Sequence, residues 1–193
     1  MRNHIIPFTI REGDTMCTIL KNLKNKTAEE LLKIYDIQQI PPINISLLLN
    51  KIGIKKIPFD FSEIENLCKC DKGSILGIIF AKDESLNIFY RMDDTLNRQR
   101  FTLAHELAHC CLDTDSLKKR HIELRDAETS NEPKERRANT FAGELLIPQK
   151  SLESIYPRLI MTPTLTDLAN IYKVSRNVMA ARLDYLEMPY IKK

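Results

Sequence analysis

The chain has 193 residues, of which 43% are hydrophobic and 28% are charged, and its formal net charge is +3. This composition is typical of a soluble globular protein with a good core, and so small a charge does not by itself indicate nucleic-acid binding. The five glycines form no glycine-rich phosphate loop, and the longest apolar run, near residues 75–81, is far too short to span a membrane.

The cysteines show no spacing typical of a disulfide framework, and they are Cys17, Cys68, Cys70, Cys110 and Cys111. A turn at residues 71–73 places Cys68 and Cys70 on a loop, where two cysteines without a second pair do not indicate a metal site. The N-terminal Met1-Arg-Asn-His is not followed by the apolar core of a signal peptide. We therefore expect a cytoplasmic protein with reduced cysteines and no membrane association.

The N-terminal part predicts an arm followed by two helices. Residues 1–26 are mixed in character and are expected to be a flexible or loosely docked arm. Thr27, with Glu30 three residues later, is typical of the capping box that begins a helix. Residues 44–51 predict a second helix, and Gly53 is expected to end it.

A small sheet is predicted next. Residues 54–61, 75–81 and 86–91 are strand-like runs, with a hairpin turn at residues 83–85 between the last two. Helices, a small sheet and then further helices indicate an α+β fold.

Residues 98–112 contain the pattern His-Glu-x-x-His at His105, Glu106 and His109. Apolar residues recur around it every three or four positions, which predicts a helix. Histidines four residues apart lie on one face of a helix, so both imidazoles can bind one divalent ion, most often zinc. Glu106 beside them can take a proton from water. Burying these side chains in so apolar a helix would be costly without a metal or other partners.

A catalytic zinc site has three protein ligands, so one more is required. The best candidate is Glu135, at the edge of an apolar helical stripe that Pro148 ends. Residues 113–134 are polar and predict a long, mobile loop near the substrate. They contain two alternative ligands, His121 and Asp113, and we rank His121 well below Glu135 because a histidine on a charged loop is usually solvated.

The C-terminal part predicts further helices, a short one at residues 151–155 and two more within residues 164–186. Ser175 caps the second of this pair, in the manner of a helix-turn-helix. In a DNA reader the start of that helix contacts bases, and here it offers Arg176 and Asn177, with Arg182 further along. We favour packing against the rest of the protein over DNA binding.

Two motifs in this order resemble the ImmA/IrrE metallopeptidases. They are Arg-Phe-Thr-Leu-Ala-His-Glu-Leu-Ala-His at residues 100–109 and Glu-x-x-Ala-Asn-x-Phe-Ala-x-x-Leu-Leu-x-Pro at residues 135–148. The resemblance runs from about Pro42 to Leu186. It implies that Glu135 is the third metal ligand. It also implies a zincin-like fold, with the small β-sheet over the HExxH helix and a C-terminal helix-turn-helix-like element.

This interpretation divides the chain into three parts. Residues 1–26 are the arm, residues 27–160 the zincin-like metallopeptidase domain, and residues 161–193 the helix-turn-helix-like helices, which are expected to pack on the same domain.

The resemblance also implies a function. It is that of a zinc-dependent endopeptidase that cleaves a helix-turn-helix repressor and so relieves repression in a mobile element or a stress response. One Zn²⁺ per chain is expected, and another divalent metal would also fit. Glu106 would be the general base, and Asn139 would hold a metal ligand in place.

Two alternatives stay open. One is a DNA- or protein-binding regulator with a structural metal site, and the other is a metallopeptidase with a different intracellular substrate. The intact Glu106 favours an enzyme over a regulator, because a structural site has no use for a general base.

Overall fold

A computed structural model describes residues 16–82, 85–114, 121–124, 133–156 and 161–192. Over these residues the fold is α+β, as predicted, with nine helices and one four-stranded sheet. The helices are α1 (Met16–Leu23), α2 (Ala28–Ile34), α3 (Ile45–Ile52), α4 (Ser62–Cys68), α5 (Leu96–Leu112), α6 (Pro133–Leu146), α7 (Gln149–Ile155), α8 (Leu165–Tyr172) and α9 (Arg176–Tyr185). The strands are β1 (Ile54–Phe59), β2 (Ile75–Lys82), β3 (Ser85–Arg91) and β4 (His121–Leu124).

The sheet has the strand order β1-β3-β2-β4. β3 pairs in parallel with β1 and antiparallel with β2, and β2 pairs antiparallel with β4. The three predicted strands are confirmed, although β1 ends at Phe59 because Phe61 already precedes a helix. Residues 83 and 84 of the predicted hairpin turn lie outside the described part of the chain.

Local signals fix several helix ends as predicted. Thr27 and Glu30 form a full capping box, with the Glu30 N–H donating to Thr27 Oγ1 at 3.2 Å and the Thr27 N–H donating to Glu30 Oε2 at 2.8 Å. Gly53 ends α3 with a φ of 84°, a left-handed conformation that favours glycine. Ser175 caps α9 by accepting from the Val178 N–H.

Three expectations are wrong in part. Residues 16–23 of the expected arm form α1, whose Ile19, Leu20 and Leu23 are buried in the core, so this part is not loosely docked. Residues 62–68 form α4, so Cys68 ends a helix and does not lie on a loop. The expected loop at 113–134 contains β4, and α6 begins at Pro133.

α5 lies at the centre of the molecule, between β2 and β3 on one side and α6 on the other. One core cluster includes buried residues of every described helix except α4, together with residues of β1, β2 and β3. None of the helices in the described ranges is long and apolar enough to cross a membrane. The division into an arm and two further parts stays a prediction.

Candidate metal centre

Two imidazoles on α5 point at the same place. Thr95 caps this 17-residue helix, and His105 and His109 are one turn apart on it. Their Nε2 atoms are 3.0 Å apart. Both side chains are shielded from solvent, with His109 only 2% exposed.

The first turn of α6 brings a carboxylate to the same point. Glu135 Oε2 is 3.2 Å from His105 Nε2, and Glu135 Oε1 is 3.7 Å from His109 Nε2. In the part of the chain that the structure describes, this trio is the group of histidine, cysteine and acidic side chains that could hold a metal, its ligand atoms all within 4.8 Å of one another. Tetrahedral ligands at about 2.0–2.1 Å from zinc lie roughly 3.4 Å apart, so these separations fit a zinc ion.

The other nitrogen of each imidazole faces an oxygen atom. Asn139 Oδ1 is 3.0 Å from His105 Nδ1, and Asp113 Oδ2 is 2.9 Å from His109 Nδ1. Such partners accept the Nδ1 proton, which leaves each Nε2 lone pair for a metal and fixes the orientation of the ring. The Asp113 carboxylate that faces His109 also pairs with Arg137, whose guanidinium is 3.7 Å from Asp113 Oδ1.

Asp113 therefore lies behind His109 and is not the third ligand in this arrangement. Sequence reasoning considered Asp113 only as a ligand and missed its contact with the imidazole. The available signal was the four-residue spacing from His109, which puts both side chains on one helix face. The backbone of His121 pairs with Ile79 in the sheet, and its side chain lies outside the described structure.

The side chain of Glu106 faces the sheet. Its side chain is 3% exposed and packs against β2 at Gly77. A Cβ atom on residue 77 would lie 2.6 Å from Glu106 Oε1 and 2.7 Å from Thr102 Cγ2, closer than real Cβ contacts allow. Gly77 was not among the candidate residues, although a glycine inside a strand is itself a sign of close approach.

Cys110 and Cys111 follow the second histidine and are fully buried. Burial raises the pKa of both thiols, and Cys111 and Glu106 raise that of Cys110 further. Both side chains are therefore neutral thiols at physiological pH and behave as small apolar groups in the core.

The residues proposed for DNA contact lie in different surroundings on α9. Arg182 is buried, donates to the Ile147 carbonyl at 3.2 Å and pairs with Glu144 at 3.3 Å. Arg176 and Asn177 are exposed, and Arg176 donates to the Lys192 carbonyl. Arg182 thus has a structural role, which agrees with packing of the helix pair against the rest of the protein.

A family model described as the IrrE N-terminal-like domain, a peptidase family, matches residues 66–184. This range is well over half of the chain and includes both sequence motifs. A search of curated proteins found no match.

Proposed function

Because this chain belongs to the IrrE N-terminal-like domain family of peptidases, we propose that it is a zinc-dependent endopeptidase. The observation that carries the proposal is the convergence of His105, His109 and Glu135, together with Glu106, a buried carboxylate that follows His105 in sequence and lies outside the ligand set. A structural site needs only ligands, whereas a hydrolytic site also needs a proton acceptor.

The donor set suits zinc. Two imidazole nitrogens and one carboxylate oxygen are ligands that zinc prefers, and three protein ligands leave a fourth position open. A zinc ion held there supplies Lewis acidity, which lowers the pKa of water and polarises a peptide carbonyl.

The protein's own residues would then orient groups and move protons. Glu106 accepts the proton of the attacking water and delivers it to the leaving amine. Asp113 and Asn139 hold the two imidazoles in the orientation that keeps both Nε2 atoms directed inward. We also propose a zincin-like arrangement, supported by the packing of α5 against β2 and β3.

The proposed substrate is a helix-turn-helix transcriptional repressor, as the resemblance to the ImmA/IrrE metallopeptidases implies. Cleavage would relieve repression in a mobile element or a stress response. Cysteine usage supports a cytoplasmic location for this reaction. A metallopeptidase with another intracellular substrate is the alternative within the same chemistry.

A regulator that binds DNA through α9 is the alternative of a different class. The buried contacts of Arg182 with Ile147 and Glu144 count against it, because this guanidinium is committed to the protein. Arg176 is exposed at the start of α9, so its substitution tests this alternative.

The test uses two matched substitutions, Glu106→Gln and Glu135→Gln, which each convert a carboxylate to an amide. Zinc content and cleavage of a purified helix-turn-helix repressor from the same organism are measured for each variant. Glu106→Gln should keep about one zinc ion per chain and lose at least about 10²-fold in cleavage rate, because an amide cannot take the proton. Glu135→Gln should lose both zinc and cleavage, because removing a metal ligand lowers metal affinity at least about tenfold.

A third variant, His121→Ala, serves as the control. It should retain zinc and activity, since the described ligand set does not require it. Loss of zinc in His121→Ala but not in Glu135→Gln would transfer the ligand role to His121. Undiminished cleavage by Glu106→Gln would show that Glu106 is not the base.

A further inference from the structure

A cavity of about 710 Å³ lies between the N-terminal half of α5, the middle of α6 and α9. We call it the α9 cleft. Its walls include Arg98 and Phe101 from α5, Asn139 from α6, and Asn177 and Tyr185 from α9. A volume of this size is in the range of cavities that hold ligands.

The α9 cleft begins one side chain away from the metal centre. Asn139, which lines it, is also the partner of His105 Nδ1 at 3.0 Å. Phe101 lies one helical turn before His105 on the same face of α5, with the two ring centres 6.2 Å apart. A chain bound in the cleft would therefore extend along α5 toward the proposed catalytic residues.

The start of α9 faces this cleft. Asn177, at a position where a DNA reader would contact bases, lines the cavity together with Ser175 and Val178. The same wall contains Arg182, which the core already holds through Ile147 and Glu144. The side of α9 that a DNA reader would present to a duplex is thus turned toward the peptidase helices.

The chemistry of the walls suits a polypeptide. Tyr185 is 66% exposed and, with Phe101, offers aromatic surface of the kind that anchors protein side chains. The amide of Asn177 can both donate to and accept from a peptide backbone. Both arginines of the lining are already paired, Arg98 with Asp94 at 3.3 Å and Arg182 with Glu144 at 3.3 Å, so the walls favour an uncharged occupant.

We propose that the α9 cleft binds an uncharged segment of the substrate polypeptide next to the bond that is cut. The inference rests on the proposed endopeptidase function and assigns α9 as a wall of the substrate site. The helix-turn-helix-like element then recognises the protein substrate and not DNA.

The test compares neighbouring residues of α9. Asn177→Ala and Tyr185→Ala remove side chains that line the cleft, whereas Arg176→Ala removes an exposed side chain of the same helix that does not line it. All three changes are at the surface and should leave thermal unfolding nearly unchanged. With the same helix-turn-helix repressor as substrate, Asn177→Ala and Tyr185→Ala should each raise KM roughly tenfold, the effect of losing about 1.4 kcal/mol of binding free energy. Their kcat should stay near that of the wild type, and Arg176→Ala should match the wild type in both constants.

A binding measurement keeps this inference separate from the catalytic one. The same substitutions are placed in the Glu106→Gln protein, and Kd for the intact repressor is measured. Weaker binding by the two cleft variants supports the inference even if the wild type cuts nothing, an outcome that would overturn only the proposed activity.

Three results would overturn the inference. Unchanged KM and Kd in both cleft variants would show that the substrate does not occupy the cleft. No binding of the repressor by any form would overturn the cleft and the proposed substrate together. Duplex DNA binding that Arg176→Ala abolishes, with no effect of the cleft variants on the repressor, would make α9 a DNA reader.

Discussion

The carboxylate of Glu106 occupies space that β2 leaves open because residue 77 has no side chain. Glycine inside a strand usually weakens it, since it packs nothing and loses more backbone entropy on folding. Here Gly77 instead allows α5 to approach the sheet closely enough for Glu106 and Thr102 to pack on the strand. The position of the proposed base therefore depends on a residue that contributes no functional group.

Gly77→Ala should displace the proposed base and leave the proposed metal ligands in place. The new Cβ would contact Glu106 and Thr102, and overpacking of this kind costs about 1–3 kcal/mol of unfolding free energy. A shift of the carboxylate by about 1 Å should lower kcat on the order of 10²-fold, while zinc affinity stays near the wild-type value. Measurements of kcat, zinc affinity and thermal unfolding on the same preparation check this.

Two further variants separate displacement of Glu106 from general strain. Gly143→Ala adds a methyl group where nothing lies within 4 Å, so it should raise stability by about 0.5–1 kcal/mol as the ordinary effect of removing a helical glycine. Gly77→Ala combined with Thr102→Ser removes the contact with Thr102 Cγ2 and should recover stability more than kcat. Full recovery of kcat in that double variant would show that Thr102, not Glu106, was displaced.

Sequence patterns predicted the site residues that lie close together along one helix. They missed the residues that come into contact only in the folded chain. His105 and His109 share a helix face, so their convergence follows from helical periodicity alone. Glu135 came from an apolar stripe that predicts a packed second helix, together with the resemblance to the family. Nothing local reveals that Gly77, almost thirty residues before Glu106, lies against it.

α4 is the clearest example of an element that has no local signal. It has seven residues, no side-chain cap at Phe61, and Glu65 as its buried residue. Glu65 accepts hydrogen bonds from the Gly73 and Ile75 N–H groups, both at 3.0 Å, and pairs with the buried Arg91 of β3. A helix without an apolar stripe is thus attached to the sheet by a buried ion pair as well as by the packing of Ile64 against Ile75 and Ile78, and residue patterns do not predict the ion pair.

β4 escaped prediction for a related reason. It has four residues within a polar segment, and its pairing partner β2 is distant in sequence. By contrast, capping is a contact between near neighbours, so the ends of α2 and α3 could be read directly from Thr27 and Gly53.

The ion pair of Glu65 predicts how stability depends on pH. Burial disfavours the charged carboxylate, but the N–H groups of Ile75 and Gly73 and the charge of Arg91 outweigh it, so the pKa of Glu65 lies below its ordinary value of 4.5. A lowered folded-state pKa stabilises the native state fully above the unfolded-state value. That contribution is lost as the pH falls through the lower folded-state pKa.

Glu65→Gln should therefore destabilise the protein at pH 7 by about 3–5 kcal/mol, because the buried Arg91 keeps, among the described residues, only the exposed and more distant carboxylate of Asp93, at 3.8 Å, to balance its charge. Urea unfolding between pH 7 and pH 3 should show the difference from the wild type shrinking below about pH 4.5. The matched control is Glu63→Gln, an exposed position of the same helix, which should change stability by less than about 0.5 kcal/mol. A difference that does not change with pH would mean that the charge of Glu65 is not what stabilises α4.

At the level of the whole molecule, α8 and α9 are bound to the rest of the protein by polar as well as apolar contacts. The Arg100 side chain donates to the Ile43 carbonyl at 2.9 Å and to the Lys173 carbonyl at 3.1 Å, joining the start of α3 to the end of α8. Ser151 and the Tyr172 hydroxyl are hydrogen-bonded at 2.9 Å, and burial raises the pKa of Tyr172 to about 12. These links connect α8 to α3, α5 and α7, and Arg182 of α9 is joined to α6 through Glu144.

The chain should therefore not divide at residue 160 into a folded peptidase and an appended module. Buried side chains in the C-terminal pair include Leu165, Leu168, Tyr172, Met179 and Leu183. Each apolar side chain of this size contributes about 1.5–3 kcal/mol on burial, so losing all five would cost an amount comparable to a typical net stability of about 5–15 kcal/mol. We expect the full chain to unfold in a single transition by circular dichroism, and residues 1–160 alone to show no cooperative transition and to bind zinc weakly. A synthetic segment of residues 161–193 added in trans should restore part of both signals. If residues 1–160 melt cooperatively and bind one zinc ion as tightly as the full chain does, the helix pair is an independent domain, and α9 would no longer be held in place as a wall of the cleft.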